Sequence, residues 1–353
     1  MPMVLVRTPT YRRPDLLARA MRCLQAQTHE EWICEVRDDC PDGSARAVVE
    51  NLGDPRIRHV QNRPQKFMVR NLDDCFLREN PHGADCFFML EDDNQVRPKF
   101  MARGCEIIEQ AGVTICQLNQ VIEHDSRTAN ARIGNDGIFD GIYDERVHTP
   151  EELHLAMLGA VGVSNGAVFW SKDIRRELAI RVETIPTLEE YLRTRLVSEP
   201  VYISHEKLAV WAENEQSTTR NAGLGKGWLR RELDLKASVI ALQRAVWKKT
   251  PERLQKAFVE GGVLRLSLNS RRKAMRKAGI RISGVPGDPS PKAMIKRLAV
   301  RHMGHEHPSV AAILGRTAGQ GYCDHITGLA GSHGQPNDNF RSSSPWEGPR
   351  LGI

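Results

Sequence analysis

Residues 86–94 read Cys86-Phe87-Phe88-Met89-Leu90-Glu91-Asp92-Asp93-Asn94. Five consecutive apolar residues fit a short strand buried on both faces, the pattern of a central strand in a parallel sheet. Three acids follow at once, so the carboxyl end of that strand carries concentrated negative charge. In open α/β sheets this is the end at which ligands bind. Toward the start of the chain, β-like runs at 3–6, 32–36 and 57–60 alternate with helical patterns entered at Pro14, Ala45 and Met68. Leu16, Leu17, Ala20, Met21 and Leu24 share one face of the first helix, and Pro14 suits its first position. Toward the end, a helix around 101–110 leads to a strand at 113–118. This alternation predicts βαβ units and an α/β fold with a mainly parallel central sheet.

Residues 119–149 are polar and rich in Gly and Asp, which predicts a long excursion of loop and short strands. Regular structure returns at 167–170, followed by a helix at 188–196 and two short strands at 201–203 and 208–211. From residue 227 to about 298, apolar residues are interleaved with Lys and Arg at helical spacing, with breaks at Gly261-Gly262 and at 284–289. Residues 315–353 are rich in Gly, Ser, Pro and Asn and cannot offset the ~1–2 kcal/mol per residue cost of ordering a backbone. The expected organisation is one domain over 1–225, divided into halves at 1–118 and 119–225, then a basic helical region at 226–314 and a disordered tail at 315–353.

With 40% hydrophobic and 27% charged residues the chain has an ordinary globular mixture. No apolar run approaches the ~20 residues that cross a bilayer, and residues 1–13 lack the pattern of a secretory signal. A cytoplasmic protein is expected, soluble or peripheral at the inner face of the membrane. The eight cysteines contain no C-x-x-C pair, which argues against a disulfide framework or a cysteine zinc site. The net charge of +6 hides an asymmetry: residues 226–301 hold twenty Lys and Arg against five Asp and Glu. Such a segment meets an anionic partner or folds back on the acidic remainder.

Asp38-Asp39 follow the second predicted strand as Glu91-Asp92-Asp93 follow the fourth. Adjacent carboxylates repel, so a cluster held at a strand end needs a counter-cation or hydrogen-bond donors. Oxygen ligands suit Mg²⁺ or Mn²⁺, typically held by one or two carboxylates while substrate phosphates complete the shell. Asp92 and Asp93 are therefore metal candidates.

These residues carry a resemblance. Thr8-Pro9-Thr10-Tyr11-Arg12-Arg13-Pro14 resembles the segment with which family 2 inverting glycosyltransferases leave their first strand. Gln25-Ala26-Gln27-Thr28 resembles the end of that family's first helix, and Val36-Arg37-Asp38-Asp39-Cys40-Pro41-Asp42-Gly43-Ser44 its Val-Asp-Asp-Gly-Ser signature. Asp54-Pro55-Arg56-Ile57-Arg58 and Arg70-Asn71 match at the same order and spacing. Glu91-Asp92-Asp93-Asn94 stands in the place of the metal-binding D-x-D motif. Six matches in order over about 95 residues make the resemblance specific.

The resemblance implies a GT-A fold, a nucleotide-sugar donor and a divalent metal, Mg²⁺ or Mn²⁺. Tyr11 would lie against the nucleobase, Asp39 would accept its imide hydrogen, and Pro9 and Thr10 would shape the pocket. Arg70 would stand near the diphosphate, Asp92 would contact donor hydroxyls, and Asp93 would hold the metal. A phenol ring with one carboxylate acceptor is a sound pyrimidine reader, which favours a UDP-sugar. Later in the chain, residues 164–170 resemble the family's acceptor-side segment. Residues 187–195 resemble the helix that supplies the catalytic base six residues before an arginine. Counting back from Arg195 gives Glu189, with Glu190 beside it. Asn214 stands where the family often has a histidine, which puts a third protein metal ligand in doubt.

The implied reaction is inverting transfer of a sugar to a hydroxyl of a glycan, a lipid-linked saccharide or a protein. A second expectation stays open: a transferase core without activity, presenting its basic helices to a membrane or to nucleic acid. For the enzyme reading, no nucleic-acid partner is expected, whereas peripheral contact with an anionic membrane through 226–301 is. Gly162-Val163-Ser164-Asn165-Gly166 fits G-x-S-x-G, but a nucleophile elbow joins a strand to a helix and a strand is expected after it here. Residues 223–226 lack the spacing of a phosphate-binding loop, and no G-x-G-x-x-G follows the first strand.

Overall fold

A computed structural model of the protein describes residues 1–159, 164–182, 184–213, 226–280 and 291–314. Its strands are β1 (Val4–Thr10), β2 (Trp32–Asp38), β3 (Ile57–Gln61), β4 (Cys86–Met89), β5 (Gln95–Val96), β6 (Ile115–His124), β7 (Arg132–Gly137), β8 (Arg146–His148), β9 (Val168–Ser171) and β10 (Val201–Ala212). They form one sheet in the order β3-β2-β1-β4-β9-β6-β10-β5, with β7 on β6 and β8 on β10. β1 pairs parallel with β2 and β4, β2 with β3, and β6 with β10, while β9 runs antiparallel between β4 and β6. Six of the eight strands on the main path thus point the same way, the mainly parallel α/β arrangement that the sequence predicts.

The helices of the first part are α1 (Pro14–Gln25), α2 (Arg46–Leu52), α3 (Phe67–Asp74), α4 (Phe100–Ala111), α5 (Pro150–Ala156) and α6 (Pro186–Thr194). The predicted apolar face of α1 is the buried one, Leu16, Leu17, Ala20, Met21 and Leu24, and each Leu or Met so placed contributes ~1.5–3 kcal/mol. α4 lies tight on β9: a Cβ on Gly104 would stand 2.8 Å from the Phe169 ring. Phe100 and Phe169 in turn pack on Phe88 of β4, at centroid distances of 4.9 and 5.9 Å, so the strand leading to the acidic cluster is clamped.

Three local expectations change. The two short strands expected at 201–203 and 208–211 are one strand, β10, whose register against β6 shifts on either side of Lys207. Bulges there break the apolar alternation that a continuous strand would show. α5 falls in a stretch without a predicted helix, although Thr149 and Glu152 form a capping box in which Glu152 Oε2 accepts from Thr149 N at 3.1 Å. β5, two residues long, is too short for periodicity to reveal.

The basic region folds as α7 (Lys226–Lys249), α8 (Glu252–Glu260), α9 (Leu268–Ala278), α10 (Pro291–Met303) and α11 (Pro308–Ile313). It is not set apart from the rest. Leu242 and Val246 of α7 and Val310 and Ile313 of α11 share one apolar cluster with Leu188 and Leu192 of α6. Gln243 Nε2 donates to Met157 O at 2.7 Å, and Thr184 Oγ1 meets Ser309 Oγ at 2.7 Å. The basic helices therefore brace α6 from behind. Gly261 ends α8 at φ +102°, a conformation that suits glycine, at the predicted Gly261-Gly262 break. No helix among the described residues is long and apolar enough to cross a membrane. The break at 284–289, Asn214 and the tail at 315–353 lie outside the described residues.

Candidate active site

Strand register brings the predicted acidic features together. Thr10 at the end of β1 is level with Asp38 at the end of β2, and Leu90 N donates to Arg7 O at 3.0 Å, so the turn after β4 opens at the same edge. Thr10, Tyr11, Asp38, Asp39 and the run Glu91–Asn94 thus share one end of the sheet. Pro9 is the penultimate residue of β1, beneath that rim.

Asp38 and Asp39 have different tasks. Asp38 is fully buried and accepts from Cys40 N and Ala45 N, both at 2.9 Å, and from His59 Nε2 at 3.0 Å. It builds the turn that carries its neighbour. Asp39, 2% exposed, accepts from Asn62 Nδ2 at 2.9 Å and from the backbone N–H groups of Lys66 and Phe67 at 2.8 and 2.7 Å. It therefore caps the start of α3. A carboxylate has about four lone-pair sites, so one on Oδ2, the oxygen with a single donor, remains for a ligand N–H. Tyr11 is 44% exposed, and the Arg12 guanidinium lies 5.3 Å from its ring centroid, leaving the opposite ring face for a base. Arg70, on α3, is exposed and has no acceptor among the described residues.

The Glu91–Asn94 turn is held from several sides. Thr10 Oγ1 donates to Asp92 Oδ2 at 2.8 Å. Arg13 Nη1 reaches both Asp92 Oδ1 at 3.2 Å and Asp93 Oδ2 at 3.1 Å. Arg19 binds Asp93 O at 2.7 Å while pairing with both oxygens of Glu123 at 3.1 and 2.9 Å. Asn94 Nδ2 donates to Glu91 Oε2 at 2.6 Å, and its Oδ1 accepts from Ala212 N at 3.0 Å. Burial, then the charges of Asp93 and Glu190, push the Glu91 carboxyl up to about 8; burial and Asp93 push Asp92 up to about 6. Arg13 alone does not neutralise the cluster.

That excess of negative charge fits a hard divalent cation at Asp93 and Asp92 with phosphate oxygens completing its shell. Among the described residues no group of three His, Cys, Asp or Glu side chains forms a full protein cage.

α6 sets Glu189 and Glu190 apart. Glu189 is 3% exposed and turned to Arg193, with Oε2 3.6 Å from Nη2. Arg193 is itself buried: it donates to Asn165 Oδ1 at 2.9 Å and to Leu178 O at 3.1 Å, pairs with Asp73, and lies 4.0 Å from the Phe76 ring centroid. Burial pushes the Glu189 carboxyl up to about 8, since Arg193 makes its nearer pair with Asp73. Glu189 is thus packed inward against Arg193, with its carboxyl raised above the usual carboxylate range. Glu190 is half-buried, and its charge acts on Glu91.

Sequence reasoning passed over four residues: Arg13, Arg19, Arg193 and Asp73. Arg13 stood within the quoted run from Thr8 to Pro14, but its reach to acids about 80 residues away follows only from the sheet. The strand expected after the G-x-S-x-G run is β9, entered through a 3₁₀ turn at Asn165–Ala167 whose Gly166 N donates to Ser164 Oγ at 3.2 Å. Ser164 is thus a turn cap; Gly162 and Val163 lie outside the described residues.

No protein-family model matches the chain, and no curated protein is similar to it in sequence. Among solved structures, S. aureus TarS 1-349 in complex with UDP-GlcNAc is similar at 13% identity, over 85% of this chain and 87% of that one, with a TM-score of 0.48. The mannosyltransferase PcManGT from Pyrobaculum calidifontis, in complex with GDP-Man and Mn²⁺, is similar at 13% identity over 89% of this chain and 79% of that one, with a TM-score of 0.46. Likeness at this level leaves the functional reading to the residues of this chain.

Proposed function

We propose that the protein is a GT-A-type glycosyltransferase that moves a sugar from a nucleotide donor, with a UDP-sugar favoured, to a hydroxyl acceptor with inversion. The observation that carries this reading is the meeting of Tyr11, Asp39 and Glu91–Asp93 at one rim of the sheet, with Glu190 of α6 near enough for its charge to act on Glu91. In this reading the base stacks on Tyr11 and its imide N–H reaches the remaining lone pair of Asp39. Asp92 contacts donor hydroxyls, and Arg13 and Arg70 face the diphosphate. Mg²⁺ or Mn²⁺ held by Asp93 would stabilise the charge that develops on the departing diphosphate. Glu190 takes the proton of the acceptor hydroxyl as the new bond forms on the opposite face of the sugar. Glycan, lipid-linked and protein acceptors all present such a hydroxyl.

Thermal denaturation with UDP, dTDP, GDP and CDP, each with and without Mn²⁺, tests the donor site. At ~100 times its dissociation constant a nucleotide adds ~2.7 kcal/mol of stability. UDP with Mn²⁺ is expected to give the largest shift, and Asp93→Ala to lose the metal-dependent part while melting at the parental temperature without ligand. No shift with any nucleotide and metal removes the donor reading.

The basic helices support a second element of the proposal, peripheral contact with an anionic membrane. α10 exposes Met294, Ile295 and Leu298 on one side with Arg301 and His302, an apolar patch edged by basic groups. Each Lys or Arg near an anionic surface contributes ~1 kcal/mol. Sedimentation with vesicles is expected to show binding only when anionic lipid is present and to weaken with salt. Equal binding to neutral and anionic vesicles contradicts it.

A further inference from the structure

Beside the acidic cluster, at the start of α1, lies a cavity of about 480 Å³ lined by Arg12, Arg13, Arg19 and Arg127 together with Asp15 and apolar residues of α1. Four arginines border it, from two parts of the chain separated by about a hundred residues. Their bonds within the protein leave donors over. Arg13 uses only Nη1 in its bonds to Asp92 and Asp93. Arg19 uses Nη1 and Nη2, and its buried Nε has no acceptor among the described residues. Arg12 uses Nη2 in an exposed pair with Asp42 at 3.1 Å and Nε toward Cys40 Sγ at 3.5 Å, which leaves Nη1. Arg127 is exposed and has no acceptor among the described residues. It is presented by a turn in which Asp125 and Arg127 have φ of +52° and +70°, closed by Thr128 Oγ1 donating to Asp125 O at 2.8 Å.

We propose that this cavity is a subsite for a phosphate group of the acceptor. Asp15, Asp42 and Glu123 temper the net charge, so recognition rests on directed N–H groups rather than on a broad positive field. A tetrahedral dianion whose oxygens accept from several forks at once satisfies such an array better than a planar carboxylate. Arg13 belongs both to this cavity and to the Asp92–Asp93 pair, so a phosphate bound here lies one side chain away from the carboxylates assigned to the donor. The anion subsite stands on the arginines alone; its assignment to the acceptor rests on the glycosyltransferase reading.

The test is a titration of the whole protein with inorganic phosphate, followed by ³¹P NMR line broadening and calorimetry, with and without saturating UDP and Mg²⁺. The variants are Arg127→Gly, which suits the left-handed backbone, and Arg127→Lys, which keeps the charge without the fork. Phosphate is expected to bind the parent both with and without UDP. It should bind Arg127→Gly at least tenfold more weakly and Arg127→Lys at an intermediate level, while UDP affinity stays parental in both. Absence of phosphate binding, or equal binding by the parent and Arg127→Gly, overturns the subsite. Displacement of phosphate by UDP would assign the arginines to the donor diphosphate and overturn the acceptor assignment. Failure of UDP to bind while phosphate binds would sink the donor reading and leave the anion subsite standing.

Discussion

Glu190→Gln is expected to lower turnover by ~10²–10⁴-fold while leaving nucleotide affinity at the parental level, because positioned proton transfer typically accelerates a step by that factor. An alcohol is a weak nucleophile at neutral pH, and its proton must leave as the bond to the anomeric carbon forms. Glu190 is half-buried in the middle of α6, and its charge is felt by Glu91, one of the acids assigned to the donor side. Glu189 makes the control. Its carboxyl is raised to about 8 by burial, well above the usual carboxylate range. The stability it contributes is complete below its ordinary value of ~4.3 and is lost as pH rises through about 8. Glu189→Gln is therefore expected to keep most of the turnover, to melt near the parental temperature at pH ~4, and to gain on the parent progressively as pH rises from ~4.3 to about 8, with no further gain above that. Collapse of turnover in Glu189→Gln with parental turnover in Glu190→Gln would reverse the assignment.

Arg193→Ala is expected to cost ~3–5 kcal/mol of stability, the usual result of breaking a buried ion pair by removing one partner. At ~2–4 °C per kcal/mol for a domain of this class, the melting temperature falls by roughly 6–20 °C. Arg193 joins α6 to α3 through Asp73, to the 3₁₀ turn through Asn165, and to the segment before α6 through Leu178 O. Asp73 also accepts from Ile180 N at 2.7 Å and Arg181 N at 2.8 Å, so one carboxylate of the first half fixes the chain leading to the proposed base. Calorimetry of Arg193→Ala beside Arg193→Lys measures this. A loss below ~1 kcal/mol in the alanine variant would mean that the network does not hold α6.

The strands and helices around the site were legible because their signals are local. The apolar run ending at Leu90 and the one-sided helix after Pro14 each state their own burial, and both acidic clusters stand at strand ends. The resemblance singled out Asp39, but why it and Asp38 differ could not be read from sequence, since their tasks depend on donors from His59, Asn62 and the start of α3. Glu189 and Glu190 posed the same difficulty in another form. Neighbours on a helix point about 100° apart, and which of them meets a buried arginine is set by packing rather than by spacing. Arg13 and Arg193 were passed over because an arginine in a sequence carries no mark of the carboxylate it will find 80 or 120 residues away. The bracing of α6 by α7 and α11 was hidden by the charge of the basic region, which disguises the apolar stripe of Leu242, Val246, Val310 and Ile313.

The most direct measurement is a crystal structure of the protein with UDP and Mn²⁺. The account predicts the uracil ring against Tyr11 with its N–H on Asp39, the cation on Asp93, and the diphosphate between the cation and Arg13 or Arg70. UDP bound elsewhere on the chain, or a cation and diphosphate that touch none of Asp92, Asp93 and Arg13, would contradict it.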